Sequence, residues 1–447
     1  MTKYVIIGSG AAGVAAAGSI RKKDQDGHIQ IFSHDPYGYY SRPGLAYLLA
    51  GEVPKSQLFP FNKDYFKKLR IQIISRNVTA IHPELYEIIV DQNVCIPYDK
   101  LLISTGASAS MPKVPGVDLE GVVKLDNMDD ADQILKNVRK NRTAVVIGGG
   151  ITALELVEGF AANGIRVHYL LRGDRYWSSV LDEVESRIVE NLLKHDGIQI
   201  HYHTDLVDIV GRKGKVNGVN AVENQAPIHI DCNIVAFAIG IRPRTRLAVE
   251  AGLDTDRGIL VDEYMQTSHI DVFAAGDVAQ VFDQQSGEHI LDSLWRPAIE
   301  QGWVAGLNMT GEHTIYEKKF SFNVTRLGGL VTTIIGKVGK EKSKAPAGSG
   351  DADVNGIMRG DSETWRSEAV GVVAQTYQET NRIRLYLTHT AITGAIVMGD
   401  QTLSRPLQEI IREKVDIHSI HDQIISQPNT IKDILTQFWK EYTAVHA

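Results

Sequence analysis

Cysteine is nearly absent: 447 residues contain two, Cys95 and Cys232. They form no CxxC pair and join no Cys/His cluster with metal spacing, which argues against an internal dithiol centre and against a cysteine-ligated iron–sulfur cluster. Long apolar runs are missing too, since none approaches the roughly 18 residues a membrane span needs. The start, Met1-Thr2-Lys3, leads straight into an apolar strand without the regions of a signal peptide. The expectation is a cytoplasmic protein with no membrane partner. Nor is basic charge in excess. The 47 Lys and Arg face 54 Asp and Glu, a net charge of −7, which argues against nucleic acid as a main partner because phosphates call for a basic surface. The length allows two to four domains, and a core of that size needs no disulfide or metal staple.

What the chain has is glycine in telling places. Tyr4-Val5-Ile6-Ile7 reads as a buried parallel strand. Gly8-Ser9-Gly10-Ala11-Ala12-Gly13 follows, then a small-residue helix from about Ala11 to Arg21 and a strand at Ile29 to Phe32. The unit returns 140 residues later: strand Ala144 to Ile147, turn Gly148-Gly149-Gly150-Ile151-Thr152-Ala153, a helix to about Asn163 with Gly164 placed as its cap, and strand Arg166 to Leu170. Each loop stands after a strand and before a helix, where a GxGxxG pattern gains meaning. The first Gly permits the tight turn, the second lets backbone approach a pyrophosphate, and the third lets helix and strand pack closely. The helix N-terminus then offers unpaired N–H groups to phosphate. Turn geometry alone could explain one such loop, but not two in this context.

The loops differ. The first keeps Gly13, whereas the second has Ala153. After the second strand of such a unit an acidic residue usually holds the ribose. His34-Asp35 stands there in the first unit; Leu171-Arg172 stands there in the second. An arginine binds a 2′-phosphate that a carboxylate would repel. Arg172, with Arg175 as a second candidate, therefore leans the second site toward NADPH, with NADH as the other nucleotide; a solvated surface charge is the plainer reading of Arg172.

Further motifs lie between and after the loops: Ser104-Thr105-Gly106 ending one apolar strand, Ala238-Ile239-Gly240 ending another, and Phe273-Ala274-Ala275-Gly276-Asp277. In this order and spacing the sequence resembles the two-dinucleotide-binding flavoprotein reductases, the pyridine nucleotide–disulfide oxidoreductases, strongly over residues 3–320 and more weakly beyond. The resemblance implies an α/β fold with two Rossmann-like three-layer nucleotide-binding domains and a C-terminal α+β interface domain. The expected division is 1–112 with 241–318 for FAD, 113–240 for NAD(P)H, and 319–447 for the last domain. It implies FAD at Gly8, Gly10, Ala11, Ala12 and Gly13, with Thr105, Gly106, Gly276 and Asp277 against the same cofactor and the Val78 backbone at the adenine. His34 departs from the usual acidic residue, so either Asp35 takes the ribose or His34 donates to it. Gly148, Gly150, Ile151, Thr152, Arg172 and Gly240 fall to the second nucleotide.

Disulfide reductases of this family carry CxxxxC near residue 42, and coenzyme A disulfide reductases carry one cysteine there. This chain reads Tyr39-Tyr40-Ser41-Arg42-Pro43-Gly44-Leu45-Ala46-Tyr47. Arg42-Pro43 resembles the rubredoxin, ferredoxin and nitrite reductase branch and the apoptosis-inducing-factor group; Gly44-Leu45 with Tyr47 resembles the coenzyme A group without its cysteine. Trp295, in Leu294-Trp295-Arg296-Pro297, corresponds to a tryptophan near the flavin or nicotinamide, and Glu155, read here as a first-turn residue of its helix, to one beside the nicotinamide path. Each also has a plainer reading, Trp295 as a core aromatic and Glu155 as a partner of the helix dipole. Cys95 and Cys232 read as structural. Electrons must then leave from the flavin, to a rubredoxin- or ferredoxin-like carrier as the leading expectation. An NAD(P)H oxidase, a small-molecule or quinone reductase, and a redox-responsive interaction protein with little turnover are the alternatives. The Gly/Ala/Ser/Asp-rich stretch from Glu341 to Asp361 reads as a mobile loop; Lys337, Lys340, Lys342 and Lys344 beside it could steer an acidic carrier, although a solvated charged loop is the simpler reading. Apolar residues at helical spacing from Ile431 to Tyr442 suit a helix docked on its own domain, a partner helix or a homodimer contact.

Overall fold

The computed structural model describes the chain except residues 92, 139–141, 285–286, 319, 340–356, 367–371, 379 and 447. Two five-stranded parallel sheets carry the glycine loops. In the first, the strands run Val272–Ala274, Lys100–Ile103, Lys3–Ile7, His28–Ser33, Ile71–Ser75. In the second they run Gln199–His201, Arg166–Leu170, Thr143–Ile147, Ile234–Phe237, Val122–Lys124. Parallel strands are covered on both faces, which is why Ile6, Val145 and Val146 are fully buried in continuous apolar runs. Each such side chain contributes about 1.5–3 kcal/mol on leaving water.

Helix α1 (Ala11–Lys23) follows the first loop directly. Helix α2 (Lys63–Lys68) is short and starts on Asn62, whose side chain accepts from the Tyr65 N–H. Helix α3 (Ile151–Ala162) follows the second loop and ends at Asn163 before Gly164, whose φ of +74° is the left-handed cap expected of it. Helix α4 (Glu183–His195) opens on a capping box formed by Asp182 and Glu185. Helix α5 (Trp295–Met309) packs on α1 through small residues: Gly302 lies against the Ala12 backbone and Gly306 against Ala16.

The third large sheet is antiparallel, in the order Phe322–Leu327, Leu330–Gly336, Ile392–Met398, Asn381–Leu387, Val372–Gln378. Helix α6 (Ile431–His446) packs on it: Ile431 and Leu435 are buried there, with Ile434, Phe438, Trp439 and Tyr442 partly so. Of the basic run, only Lys337 is among the described residues; Lys340, Lys342 and Lys344 lie outside them. Buried Arg382 and Arg384 on this sheet face Glu185 at the start of α4, and Arg384 grips it with Nε–Oε1 and Nη2–Oε2 both at 2.9 Å. Among the described residues no helix is long and apolar enough to cross a membrane.

Candidate functional site

The first glycine loop and the start of the helix after the second open onto one cavity of about 800 Å³, within the size range of ligand sites. Gly8 has φ +114°, and a Cβ there would overlap the Ser104 carbonyl; Gly148, at +147°, stands in the same relation to the Ala238 carbonyl. Each glycine thus lets its loop pass hard against the next strand of its sheet. No side chain caps α1 or α3. Ala11 and Ala12 of one helix and Ile151 and Thr152 of the other line the cavity, so both positive helix ends serve the same space. A Cβ on Gly10 would meet nothing within 4 Å, nor would one on Gly106. That open backbone cradle fits a pyrophosphate on the first loop.

Gly8, Gly10, His34, Asp35, Arg42, Pro43, Val78, Thr105, Gly106, Glu155, Gly276, Asp277 and Trp295 also line the cavity. Gly13, Gly148, Gly150, Arg172 and Gly240 do not. Gly13 acts in packing, since a Cβ there would overlap the Gly8 carbonyl. Gly240, at φ +120°, joins two strands and accepts from the Ser110 N–H at 2.9 Å. Arg172 is exposed in the loop after Arg166–Leu170. Over Gly150 lies the Met358 sulfur.

The Asp35 carboxylate is engaged by its own neighbourhood. It accepts from the Tyr37 N–H at 3.0 Å and the Tyr40 hydroxyl at 3.2 Å, and Arg42 stands 3.6 Å away. His34 is exposed at the cavity. Tyr40 is buried, and its oxygen in turn accepts from the Met128 N–H at 3.1 Å. Tyr47 lies under the Arg326 guanidinium at 5.5 Å.

Sequence reading missed a group of charges around Asp126. Arg244 donates to Asp126 Oδ2 at 3.1 Å, to the Thr105 carbonyl at 3.0 Å and to Ser108 at 2.7 Å, while Thr105 Oγ1 donates back to the Arg244 carbonyl at 3.1 Å. Arg359 pairs with the other carboxylate oxygen, and Arg42 donates to the Asp126 carbonyl at 2.9 Å. Burial alone would raise the Asp126 carboxyl; Arg359, Arg244, Lys124 and Arg42 hold it below the usual range. Burial raises Asp277, with Arg359 and Arg42 opposing.

Arg359 corrects the expectation of a mobile loop over Glu341 to Asp361. Residues 341–356 of it lie outside the described ones, but Ile357 to Asp361 is built into the site. Ile241 N–H donates to the Ile357 carbonyl at 2.9 Å, Gly360 N–H to Ser293 at 3.0 Å, and Ser293 N–H to Asp361 at 3.1 Å. The only signal for it in the sequence is an arginine in a glycine-rich stretch.

Glu155 is a second correction. Its helix starts at Ile151, so it stands one turn in, beyond the reach of the N-terminal dipole, and points to the cavity. Burial, with Glu158 one turn on, pushes its carboxyl up to about 8, and Arg359 opposes this. Trp295 borders the cavity at the first residue of α5. Cys95 is exposed on its strand, and burial pushes the Cys232 thiol up to about 12.

A model of the family described as pyridine nucleotide-disulphide oxidoreductase matches residues 2–302. A nitrite reductase [NAD(P)H] of Bacillus subtilis is 28% identical over 430 residues, 95% of this chain, and the chain spans 49% of its length. A CoA-dependent NAD(P)H sulfur oxidoreductase of Pyrococcus abyssi is 31% identical over 349 residues, covering 76% of each. Among solved structures, a covalent putidaredoxin reductase–putidaredoxin complex aligns with a TM-score of 0.83 over 98% of both chains at 20% identity, a likeness of fold. The shared cavity thus has its counterpart in sequence: the chain belongs to the pyridine nucleotide-disulphide oxidoreductase family, with FAD and NAD(P)H as its cofactors.

Proposed function

We propose that this flavoprotein oxidoreductase has no redox-active cysteine and delivers its electrons to a separate one-electron carrier protein. The observation that supports this most is the cavity wall. Arg42 and Pro43 line it where thiol-bearing relatives would place cysteine, and neither Cys95 nor Cys232 lines it. The division proposed above, 1–112 with 241–318, 113–240 and 319–447, leaves the flavin side of the cavity on the first of these and the nicotinamide side on the second.

When bound, FAD supplies the chemistry of accepting a hydride and releasing its electrons singly or in pairs. The chain's residues supply position and charge. The first loop and α1 hold the pyrophosphate, with Asp277 and Thr105 beside it. His34 takes the ribose, because Asp35 is already committed to Tyr37, Tyr40 and Arg42. The second loop and α3 hold the nicotinamide nucleotide, with Arg172 for a 2′-phosphate. Glu155, with a carboxyl near 8, keeps its proton at neutral pH and so donates rather than accepts in the cavity.

The test is an anaerobic titration with NADPH or NADH, followed by addition of an acidic [2Fe–2S] ferredoxin, air, or coenzyme A disulfide to separate samples. Bleaching by nicotinamide and reoxidation by the ferredoxin are expected. No bleaching with either nucleotide would sink the reductase reading; rapid reoxidation by air alone would replace the carrier with oxygen.

A further inference from the structure

Four aromatic rings run outward from the cavity. Trp295, at the cavity wall, has its ring centroid 6.1 Å from Tyr39; Tyr39 stacks on Phe61 at 5.3 Å and 20°; Phe61 stacks on Tyr65 at 4.2 Å and 8°. Tyr65 ends the series at the surface, 38% exposed on α2. A hydrophobic core would not need this. Phe66, the next residue, is the one that α2 buries, at 7% exposure, and it meets Phe61 and Tyr65 edge-on. Tyr65 and Phe61 instead line an open surface depression with Phe59, Pro60 and Lys68. An exposed aromatic centre rimmed by charge is the anatomy of a binding face, since aromatic residues carry most interface energy and the rim excludes water.

The rim is basic. Lys67 and Lys68 border the depression against the single carboxylate of Asp64, on a chain of net charge −7. Lys67 and Lys68 are exposed, and among the described residues no salt bridge holds either. A local excess of positive charge steers a negatively charged partner and orients it.

The geometry points to α2 and its depression as the docking face for an acidic one-electron carrier protein, with Trp295, Tyr39, Phe61 and Tyr65 as the packed path between cavity and carrier. This rests on the carrier reading above. The balance is one NAD(P)H and two oxidised carriers giving NAD(P)⁺, one proton and two reduced carriers; the rings are neither oxidised nor reduced and provide close-packed contact along the way.

Binding of oxidised acidic [2Fe–2S] ferredoxin to the FAD-loaded protein, measured by calorimetry without nicotinamide, tests the face apart from turnover. Wild type is expected to bind, with Kd rising as salt is added. The double variant Lys67→Glu, Lys68→Glu is expected to raise Kd at least tenfold at low salt with an unchanged melting temperature. Tyr65→Ala is expected to slow ferredoxin reduction at least fivefold while anaerobic bleaching by NADPH keeps its wild-type rate. If wild type binds and reduces ferredoxin but neither variant differs from it, the docking face is wrong and the carrier reading stands. If wild type is bleached by NADPH yet neither binds nor reduces ferredoxin, the carrier reading falls and the face with it.

Discussion

Arg359 and Asp126 lie 233 positions apart in the chain and form an ion pair at the cavity wall. The same guanidinium opposes the rise of the Glu155 and Asp277 carboxyls. Arg359→Ala should therefore move Glu155 above its value of about 8. If Glu155 governs hydride delivery, the midpoint of the pH profile for anaerobic bleaching by NADPH shifts upward in this variant. An unshifted or lowered midpoint would contradict the electrostatic role given to Arg359.

Glu155 also sets a pH dependence of stability. Its folded carboxyl, near 8, lies above the unfolded value of about 4.3. Between these two the folded state holds a proton that the unfolded state has released, so this group lowers stability as pH rises from about 4.3 to 8 and adds no further loss above. Glu155→Gln removes the titration. The variant's melting temperature relative to wild type should climb across that window and level off beyond it.

Arg384 and Glu185 join the antiparallel sheet to the start of α4 in a buried bidentate pair. Arg384→Met takes the bidentate partner from a carboxylate that burial already pushes up, leaving it the Asp182 N–H at 3.0 Å and the longer 3.4 Å contact with Arg382. Removing one partner of such a pair costs about 3–5 kcal/mol, whereas replacing both with apolar residues of like volume is close to neutral. Denaturant unfolding of Arg384→Met and of the double variant Arg384→Met, Glu185→Leu checks both halves of that statement.

Gly302 admits no side chain, because its Cβ would overlap the Ala12 backbone. Gly302→Ala must push α5 away from α1, and overpacking of this kind costs about 1–3 kcal/mol. Ala12 lines the cavity beside the first loop, so the variant should also release FAD more readily, read as free flavin fluorescence after mild heating.

Arg172→Glu should weaken NADPH by tenfold or more, the equivalent of about 1.4 kcal/mol, and leave NADH nearly unchanged. An equal loss for both nucleotides in steady-state KM values would remove the phosphate role from Arg172.

The two glycine loops were legible because their pattern is local: strand, turn and helix follow one another within 30 residues, although the carbonyls that Gly8 and Gly148 pass, those of Ser104 and Ala238, stand at the ends of strands far along the chain. Arg359, Arg244 and Asp126 have no such signature, since their meaning arises only where three distant segments converge. The aromatic series was hidden for the same reason; Tyr39, Phe61 and Trp295 share no period, and only the fold stacks them. His34 and Asp35 share the place after a strand where a ribose partner stands, and the engagement of Asp35 by Tyr40 and Arg42, which decides between them, depends on side-chain directions that sequence position does not reveal.

The crossing of Ile357 to Asp361 back into the cavity bears on how the protein is made. A ribosome that has released the chain through α5 has already delivered both nucleotide loops, Asp126 and Asp277. The counter-charge from Arg359 is still inside the synthesis machinery, and arrives roughly 3–10 s later at ordinary rates of elongation. During that interval the acidic wall stands with part of its neutralisation missing. Cofactor capture should therefore be a late event that waits for this segment, and chains truncated before it should emerge folded in part but colourless.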